Sequence, residues 1–251
     1  MLEATAIAED RHFWFKSLRR NARRLLCDAL GGQRPQLIVD CGAGTGRNLD
    51  WLSTLGPAVG IERSAVGLRE GRARHRRLVQ GTVTQLPLPN ACADVATSFD
   101  VLYCLDDESE RAALAEMWRV LRPGGVLMVN VAALEILHGS HSTLTHEVRR
   151  YTKNRLRPAL TNAGFVVERL TFTNMMTFPL TLAVRLSERI RGKAGEASDA
   201  DLRVPPAPVN AALDLALRFE FAFLRRMNLP IGTSLMAVAR KPRGDIRDTH
   251  R

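Results

Sequence analysis

The run Val39-Asp40-Cys41-Gly42-Ala43-Gly44-Thr45-Gly46 carries the residues most able to do chemistry. An apolar stretch ends in a carboxylate, and three glycines follow at alternate positions. Glycine tolerates positive φ and lets a ligand lie against bare backbone. Amides of such a loop, and of the helix it opens, can hold a negative group. The dinucleotide fingerprint needs glycine where Arg47 stands, which disfavours nicotinamide and flavin dehydrogenases. A second apolar stretch, Ala58-Val59-Gly60-Ile61, ends at Glu62. A carboxylate at the carboxyl edge of a doubly wound sheet can accept both hydroxyls of a ribose. A glycine loop alone is a weak signal; strand, loop, helix, strand and acid in series form a specific one.

The surrounding pattern supplies the elements that must position these groups. Phe13, Leu18, Leu25 and Leu26 recur at helical spacing within 9–30, and Gly31-Gly32 is a stop signal. Strands are predicted at 37–40, 58–61, 78–80, 94–98 and 126–131. Helices are predicted between them, over 48–55, from a cap at Ser64 through Arg77, and over 108–121 up to Pro123-Gly124-Gly125. Alternation of strand and helix implies an α/β fold with a doubly wound, mainly parallel sheet. A helix over 152–162 and strands over 165–173 and 234–240 complete the sheet. About 60 residues separate those last strands, far more than a hairpin needs. They contain one helix near 180–190, a polar proline-rich stretch, and a very apolar helix from Asn210 to about Met227. The expected organisation is an N-terminal helical lid at 1–34, the α/β core at 35–174, a helical cap or insert at 175–230, the final core strand at 231–241 and a disordered tail at 242–251.

With 251 residues, 45% of them hydrophobic, the chain can bury a large core without disulfides or metals. Its four cysteines form no CxxC pair, so reduced thiols and a cytoplasmic location are expected. No secretory signal and no membrane-spanning apolar run is apparent. The formal charge of +10, from 36 basic and 26 acidic residues, suits nucleic acid, an anionic substrate or an acidic membrane surface. The arginines are spread over 19–24, 69–77 and 149–157, which weakens the case for one binding patch.

The chain resembles the class I S-adenosylmethionine-dependent methyltransferases, in particular those acting on small molecules and lipids. The resemblance rests on VDCGAGTGRN at 39–48, VGIERS at 59–64, LVQGTVTQLPLPNACADVATSFDVLYCLDD at 78–107 and LRPGGVLMVN at 121–130. HEVRRYTKNRLRPALTNAGF at 146–165 and the ARK at 239–241 fit more weakly. The resemblance implies a Rossmann-like sheet of seven strands and S-adenosylmethionine as cofactor. Asp40 would orient the glycine loop and the amino group of the methionine moiety, which Gly42, Ala43, Gly44 and Gly46 would line. Glu62 would hold the ribose, with Arg63 beside the adenine. Thr82 and Val83 would border the adenine edge, and Ser98 and Phe99 the methionyl side. Many relatives have Asp where Thr82 stands and His where Cys104 stands.

Methyl transfer mainly needs alignment and exclusion of water, because the donor is already activated; no metal is required. An oxygen acceptor usually needs a base. His138, His141 and His146 follow the fifth strand. His146 is the expected base or orienting group, assisted by Tyr151, with Asp100 as second candidate. The alternatives are that His146 caps or packs the loop and that Asp100 caps a helix. His12-Phe13-Trp14-Phe15 resembles an aromatic lid over the cofactor, or is an amphipathic helix packed on the sheet. Arg19 or Arg20 could reach the methionine carboxylate or face solvent.

The insert should decide the acceptor. A wide apolar pocket, a homodimer interface and peripheral membrane contact all suit its second helix, as does packing on the core. The leading expectation is O-methylation of a small, apolar or lipid-like acceptor. Nucleic-acid methylation is disfavoured, because Ser98-Phe99-Asp100-Val101 stands where amino-directed enzymes carry Asn/Asp-Pro-Pro-aromatic. A cofactor-binding protein that performs a cyclisation, or serves a structural or regulatory role, is the alternative from another class.

Overall fold

A computed structural model of the chain describes residues 2–139, 147–192 and 203–244. Two helices open it, α1 (Leu2–Ala8) and α2 (Phe13–Leu30). The continuous helix expected over 9–30 is broken, because His12 takes an extended conformation and caps α2, its imidazole accepting from the Trp14 amide at 3.2 Å. The stop at Gly31 is as expected: it sits in the left-handed region and donates to Asp28 and Cys27.

The core alternates β1 (Ile38–Cys41), α3 (Leu49–Leu52), β2 (Ala58–Glu62), α4 (Ala65–Ala73), β3 (Leu78–Gln80), β4 (Ala93–Phe99), α5 (Asp107–Val120) and β5 (Leu121–Ala132). It continues with α6 (Lys153–Asn162), β6 (Val166–Thr173), α7 (Phe178–Ile190), α8 (Ala207–Leu224) and β7 (Ser234–Arg240). The seven strands form one sheet in the order β3-β2-β1-β4-β5-β7-β6. Only β7 runs antiparallel to its neighbours. This is the α/β, doubly wound, mainly parallel sheet read from the sequence.

Several boundaries differ from expectation, among them α3, which spans only Leu49–Leu52, and α8, which runs from Ala207 to Leu224. The helix from Ser64 stops at Ala73 rather than Arg77, with His75 at positive φ turning the chain back. Strand β5 begins at Leu121, and Pro123-Gly124-Gly125 lies inside it, where the register against β4 shifts between Ala93 and Val95.

Alternation divides the sheet into two faces. One packs Val39, Cys41, Ala96, Leu127 and Val129 beneath α5 and α6. The other packs Ile38, Val95, Phe99, Met128 and Met236 against Leu18, Ala22, Leu25 and Leu26 of α2. Each fully buried leucine contributes about 1.5–3 kcal/mol, which fixes α2 on the sheet. The reversal of strand order between β1 and β4 opens the crevice where doubly wound sheets bind ligands.

Candidate functional site

Asp40, next to last in β1, faces α2 and is fully buried. Its Oδ1 accepts from Thr97 Oγ1 at 2.7 Å, and its Oδ2 is buried with no partner. Burial pushes the carboxyl up to about 7, against the lowering bond from Thr97 and with the charge of Glu62 adding to the rise. Beyond it the chain turns through Gly42 (φ 80°), Gly44 (φ 58°) and Gly46 (φ 75°). A Cβ on Gly42 would lie 2.4 Å from Val101 Cγ2, so the loop admits no side chain there. Ala43 packs at the same bend, 9% exposed.

Glu62 organises this loop. One carboxylate oxygen accepts the Gly44 amide at 2.7 Å and the other the Ser64 amide at 2.7 Å. Each oxygen keeps a second lone pair for a ligand hydroxyl. Arg63 is exposed beside it. Thr82 shares its hydroxyl with Thr84 Oγ1 at 3.0 Å in the turn after β3, and Val83 is buried there. At the end of β4, Ser98 is buried with its Oγ unpartnered, on the α5 face. Phe99 faces α2 instead, its ring 6.3 Å from that of Trp51. The orphaned Asp40 oxygen, the glycine bend and the Glu62 carboxylate fit the amino group, methionyl chain and ribose of an adenosyl sulfonium.

The contact of the N-terminal segment with this loop is made by α1. Leu2 Cδ2 lies 3.5 Å from where a Cβ on Gly44 would stand. Glu9 is buried and accepts from Thr45 Oγ1 at 2.6 Å; Arg76 donates to Glu9 at 3.3 Å and to the Thr45 carbonyl at 2.9 Å. Sequence reasoning missed this trio, since nothing in the local pattern links residues 9, 45 and 76. The aromatic stretch at 12–15 starts α2: His12 is buried, and burial lowers its imidazole to about 4. Arg19 donates to the Glu9 carbonyl at 2.6 Å, which ties α2 to α1.

The acceptor-side residues separate. Asp100 follows β4 at positive φ (62°) and is clamped to β5: Asn130 Nδ2 donates to its Oδ1 at 2.8 Å, and its amide donates to the Asn130 carbonyl at 3.0 Å. Burial pushes its carboxyl up to about 7, with Asn130 opposing and Glu147 adding. Cys104 nearby is no thiolate at neutral pH, since burial, Glu147 and Asp100 push its thiol up to about 12. Tyr151 is fully buried, and its hydroxyl donates to Glu110 beneath α5. Burial and that carboxylate raise the phenol far above its ordinary range. His146 and His141 lie outside the described residues.

A profile of the methyltransferase-domain family matches residues 39–129. Residues 39–129 carry a methyltransferase domain of the class I, S-adenosylmethionine-dependent kind. The chain is 29% identical over 64% of its length to 62% of a Mycolicibacterium smegmatis protein named "Probable S-adenosylmethionine-dependent methyltransferase". It is 32% identical over 57% of the chain to 59% of the demethylmenaquinone methyltransferase of Renibacterium salmoninarum. The chain spans about half the length of the curated relatives it matches. Among solved structures, the [4+2]-cyclase SpnF shares the fold at TM-score 0.59 and 23% identity, over 92% of this chain and 83% of that one. The cofactor of this class is S-adenosylmethionine.

Around the methyltransferase domain, α8 docks on α2. Asn210 accepts the Phe13 amide at 3.0 Å, and Asp214 pairs with Arg20 at 3.2 Å and Arg218 at 2.8 Å. Buried Glu220 accepts the Asn174 and Met176 amides at 2.6 and 2.9 Å, which locks the exit from β6 under α8. Between α2, α3 and α8 runs a groove of about 570 Å³, lined by Arg19, Arg20, Arg23, Arg47, Trp51 and Phe221. That is the size of ordinary small-ligand sites.

Proposed function

We propose that this protein transfers a methyl group to a hydroxyl oxygen of a small, lipid-like acceptor. The carrying observation is the Asp40–glycine loop–Glu62 cradle at the strand-order reversal, with the buried carboxyl of Asp100 at the same sheet edge. When bound, S-adenosylmethionine supplies a methyl on a sulfonium sulfur, which the acceptor oxygen displaces with departure of S-adenosylhomocysteine. Asp40 receives the amino group, Glu62 the ribose hydroxyls, and Arg63, Thr82 and Val83 border the base. Gly42, Ala43, Gly44 and Gly46 line the methionyl chain, with Ser98 and Phe99 at its far side. Asp100 takes the acceptor proton, Asn130 holding the carboxylate; His146 stands as an additional base or orienting group. Tyr151 positions the strand end through Glu110. The α1 contact with the glycine loop makes the N-terminal segment a lid, and release of the Glu9–Thr45–Arg76 trio opens it.

Incubating the protein with methyl-labelled donor and a lipid extract tests this reading. Label is expected in an alkali-stable ether, and its absence from every fraction opposes the transferase reading. Transfer should rise with pH through about 7, because Asp100 must be ionised to accept a proton. Asp100→Asn should cut transfer by about 100-fold or more and remove that limb. The raised pKa has a stability counterpart of definite sign. Unfolded Asp100 ionises near 3.8 and folded Asp100 near 7, so stability falls as pH rises between them. Urea midpoints of the Asn variant should show a shallower slope, with the like-signed contribution of Asp40 remaining.

The lipid-like acceptor and a membrane-surface partner draw on the insert. Among the described residues, 11 of the 16 exposed large apolar side chains lie between Met176 and Ile231. Leu215, Phe219 and Phe223 project from α8 opposite its buried Asp214, Leu217, Glu220 and Leu224, with Arg218, Arg225 and Arg226 exposed beside them. Asp214 and Glu220 are buried, so the outer face is apolar and cationic, as an anionic lipid surface requires. No helix among the described residues is long and apolar enough to cross a membrane. Vesicles containing phosphatidylglycerol should co-sediment the protein, and Phe219→Glu with Phe223→Glu should weaken this at least about ten-fold. A concentration-dependent dimer abolished by the same changes would assign the face to a second copy instead.

A further inference from the structure

Beyond the cofactor cradle, the α2 face of the sheet turns polar at its carboxyl edge. Alternation from Met128 and Met236 brings Asn130 and Ser234 onto that face. Thr173 pairs in register with Ser234, which pairs with Ala132, and Asn174 follows with its Nδ2 3.4 Å from Ser234 Oγ. Asn21 is among the buried residues of α2, the helix packed on this face, and Arg20 precedes it. Asn21, Asn130, Thr173 and Asn174 are each 2% exposed or less.

These groups share one deficit. The carboxamide nitrogens are engaged, Asn21 with Ser17, Asn130 with Asp100 and Asn174 with Ser234. The oxygens Asn21 Oδ1, Asn130 Oδ1, Asn174 Oδ1 and Thr173 Oγ1 are buried with no partner. Arg20 spends Nη1 on Asp214, while its Nε and Nη2 are buried and unpartnered. A buried polar group without a partner costs about 1–3 kcal/mol, and native proteins rarely tolerate several together unless a ligand or water meets them. Helix α8 holds two members of the set, Arg20 through Asp214 and Asn174 through Glu220, and Asn174 also meets Ser234.

The donor and acceptor balance selects the ligand. Three carboxamide oxygens await donors, one guanidinium edge awaits an acceptor, and the Thr173 hydroxyl can take either. A carboxylate or phosphate only accepts and would face those oxygens with its own negative charge; a bare hydrocarbon would leave all of them unmet. A hydroxyl both donates and accepts. We infer that the acceptor presents a polyhydroxylated, sugar-like group to Arg20, Asn21, Asn130, Thr173 and Asn174, and that one of its hydroxyls is the one methylated beside Asp100. This rests on the transferase reading and names its acceptor class. The apolar tail of such an acceptor would remain toward the exposed faces of α7 and α8.

Four ligands with one tail test the inference: octyl β-glucoside, octyl β-galactoside, octanoate and 1-octanol, below micelle-forming concentrations. They are titrated calorimetrically into protein saturated with S-adenosylhomocysteine. At least one glycoside should bind ten-fold or more tighter than octanoate and octanol. Arg20→Met and Asn21→Leu should each weaken glycoside binding five-fold or more and leave octanol binding unchanged. Equal affinities across the four ligands, tighter octanoate, or glycoside binding unaltered in both variants would overturn the inference. Circular dichroism identifies a variant that fails to fold, and Asn130→Leu then replaces it under the same criteria. Uptake of S-adenosylhomocysteine in the same preparation is read separately. Its failure removes the transferase reading, whereas loss of glycoside preference with that uptake intact removes only the acceptor class.

Discussion

Replacing Glu62 by leucine should reduce the affinity for S-adenosylhomocysteine at least about 100-fold in a protein that remains folded. The carboxylate accepts the Gly44 and Ser64 amides at 2.7 Å each, while 7% exposed. Hydrogen bonds to a charged group contribute about 1.5–3 kcal/mol each, and a 100-fold loss corresponds to about 2.7 kcal/mol. Leucine removes both bonds together with the acceptor for the ribose. The Gly44 amide then has no fixed partner, and the bend at positive φ loses its brace. Gly42→Val should act as strongly for a different reason, since even its Cβ would sit 2.4 Å from Val101 Cγ2 at φ 80°. Calorimetry on material of native circular dichroism reads both. Affinity within three-fold of the parent for either variant would remove the cradle from the binding site.

The second large effect is on stability. Glu110 is 5% exposed and gathers Tyr151, Arg149 at 3.0 Å and Arg155 at 3.2 Å. Glu110→Leu leaves the Tyr151 hydroxyl with only the distant Leu102 carbonyl at 3.4 Å, and leaves both arginines with Asp107, whose side chain is 73% exposed. Breaking a buried charged network from one side costs about 3–5 kcal/mol. At about 2–4 °C per kcal/mol for a chain of this size, the melting temperature should fall by about 10 °C. Tyr151→Phe should cost about 1–2 kcal/mol, because the carboxylate keeps its arginines. S-adenosylhomocysteine binding by Tyr151→Phe at a temperature where it is folded should match the parent. A melting temperature unchanged in Glu110→Leu would show that the cluster does not hold the 147–151 segment to α5.

These two sites differ in how far they could be read in advance. The cradle is written locally. Positive-φ glycines, an acid at the end of each of the first two apolar runs and the apolar runs themselves act over a few residues, so their spacing revealed the loop, the seven strands and the role proposed for Glu62. Tyr151 illustrates the opposite case. Its place in a motif shared with relatives suggested an acceptor role, but its hydroxyl meets a carboxylate 41 positions away in sequence, on α5.

The amino-acid sequence by itself determined the α/β class, the order of elements, the glycine bend and the identity of the residues at the strand ends. Those properties follow from backbone sterics and from alternation along single segments. Only the tertiary structure decided that Glu9, just after α1, meets Thr45 of the glycine loop and Arg76, and that α8 closes on α2 through Asn210 and Asp214. It alone brought the unmatched oxygens of Asn130, Thr173 and Asn174 to one sheet edge, on the face that α2 covers. Such meetings depend on how far a chain folds back on itself, and side-chain hydrogen bonds across that distance leave no periodic trace in the order of residues.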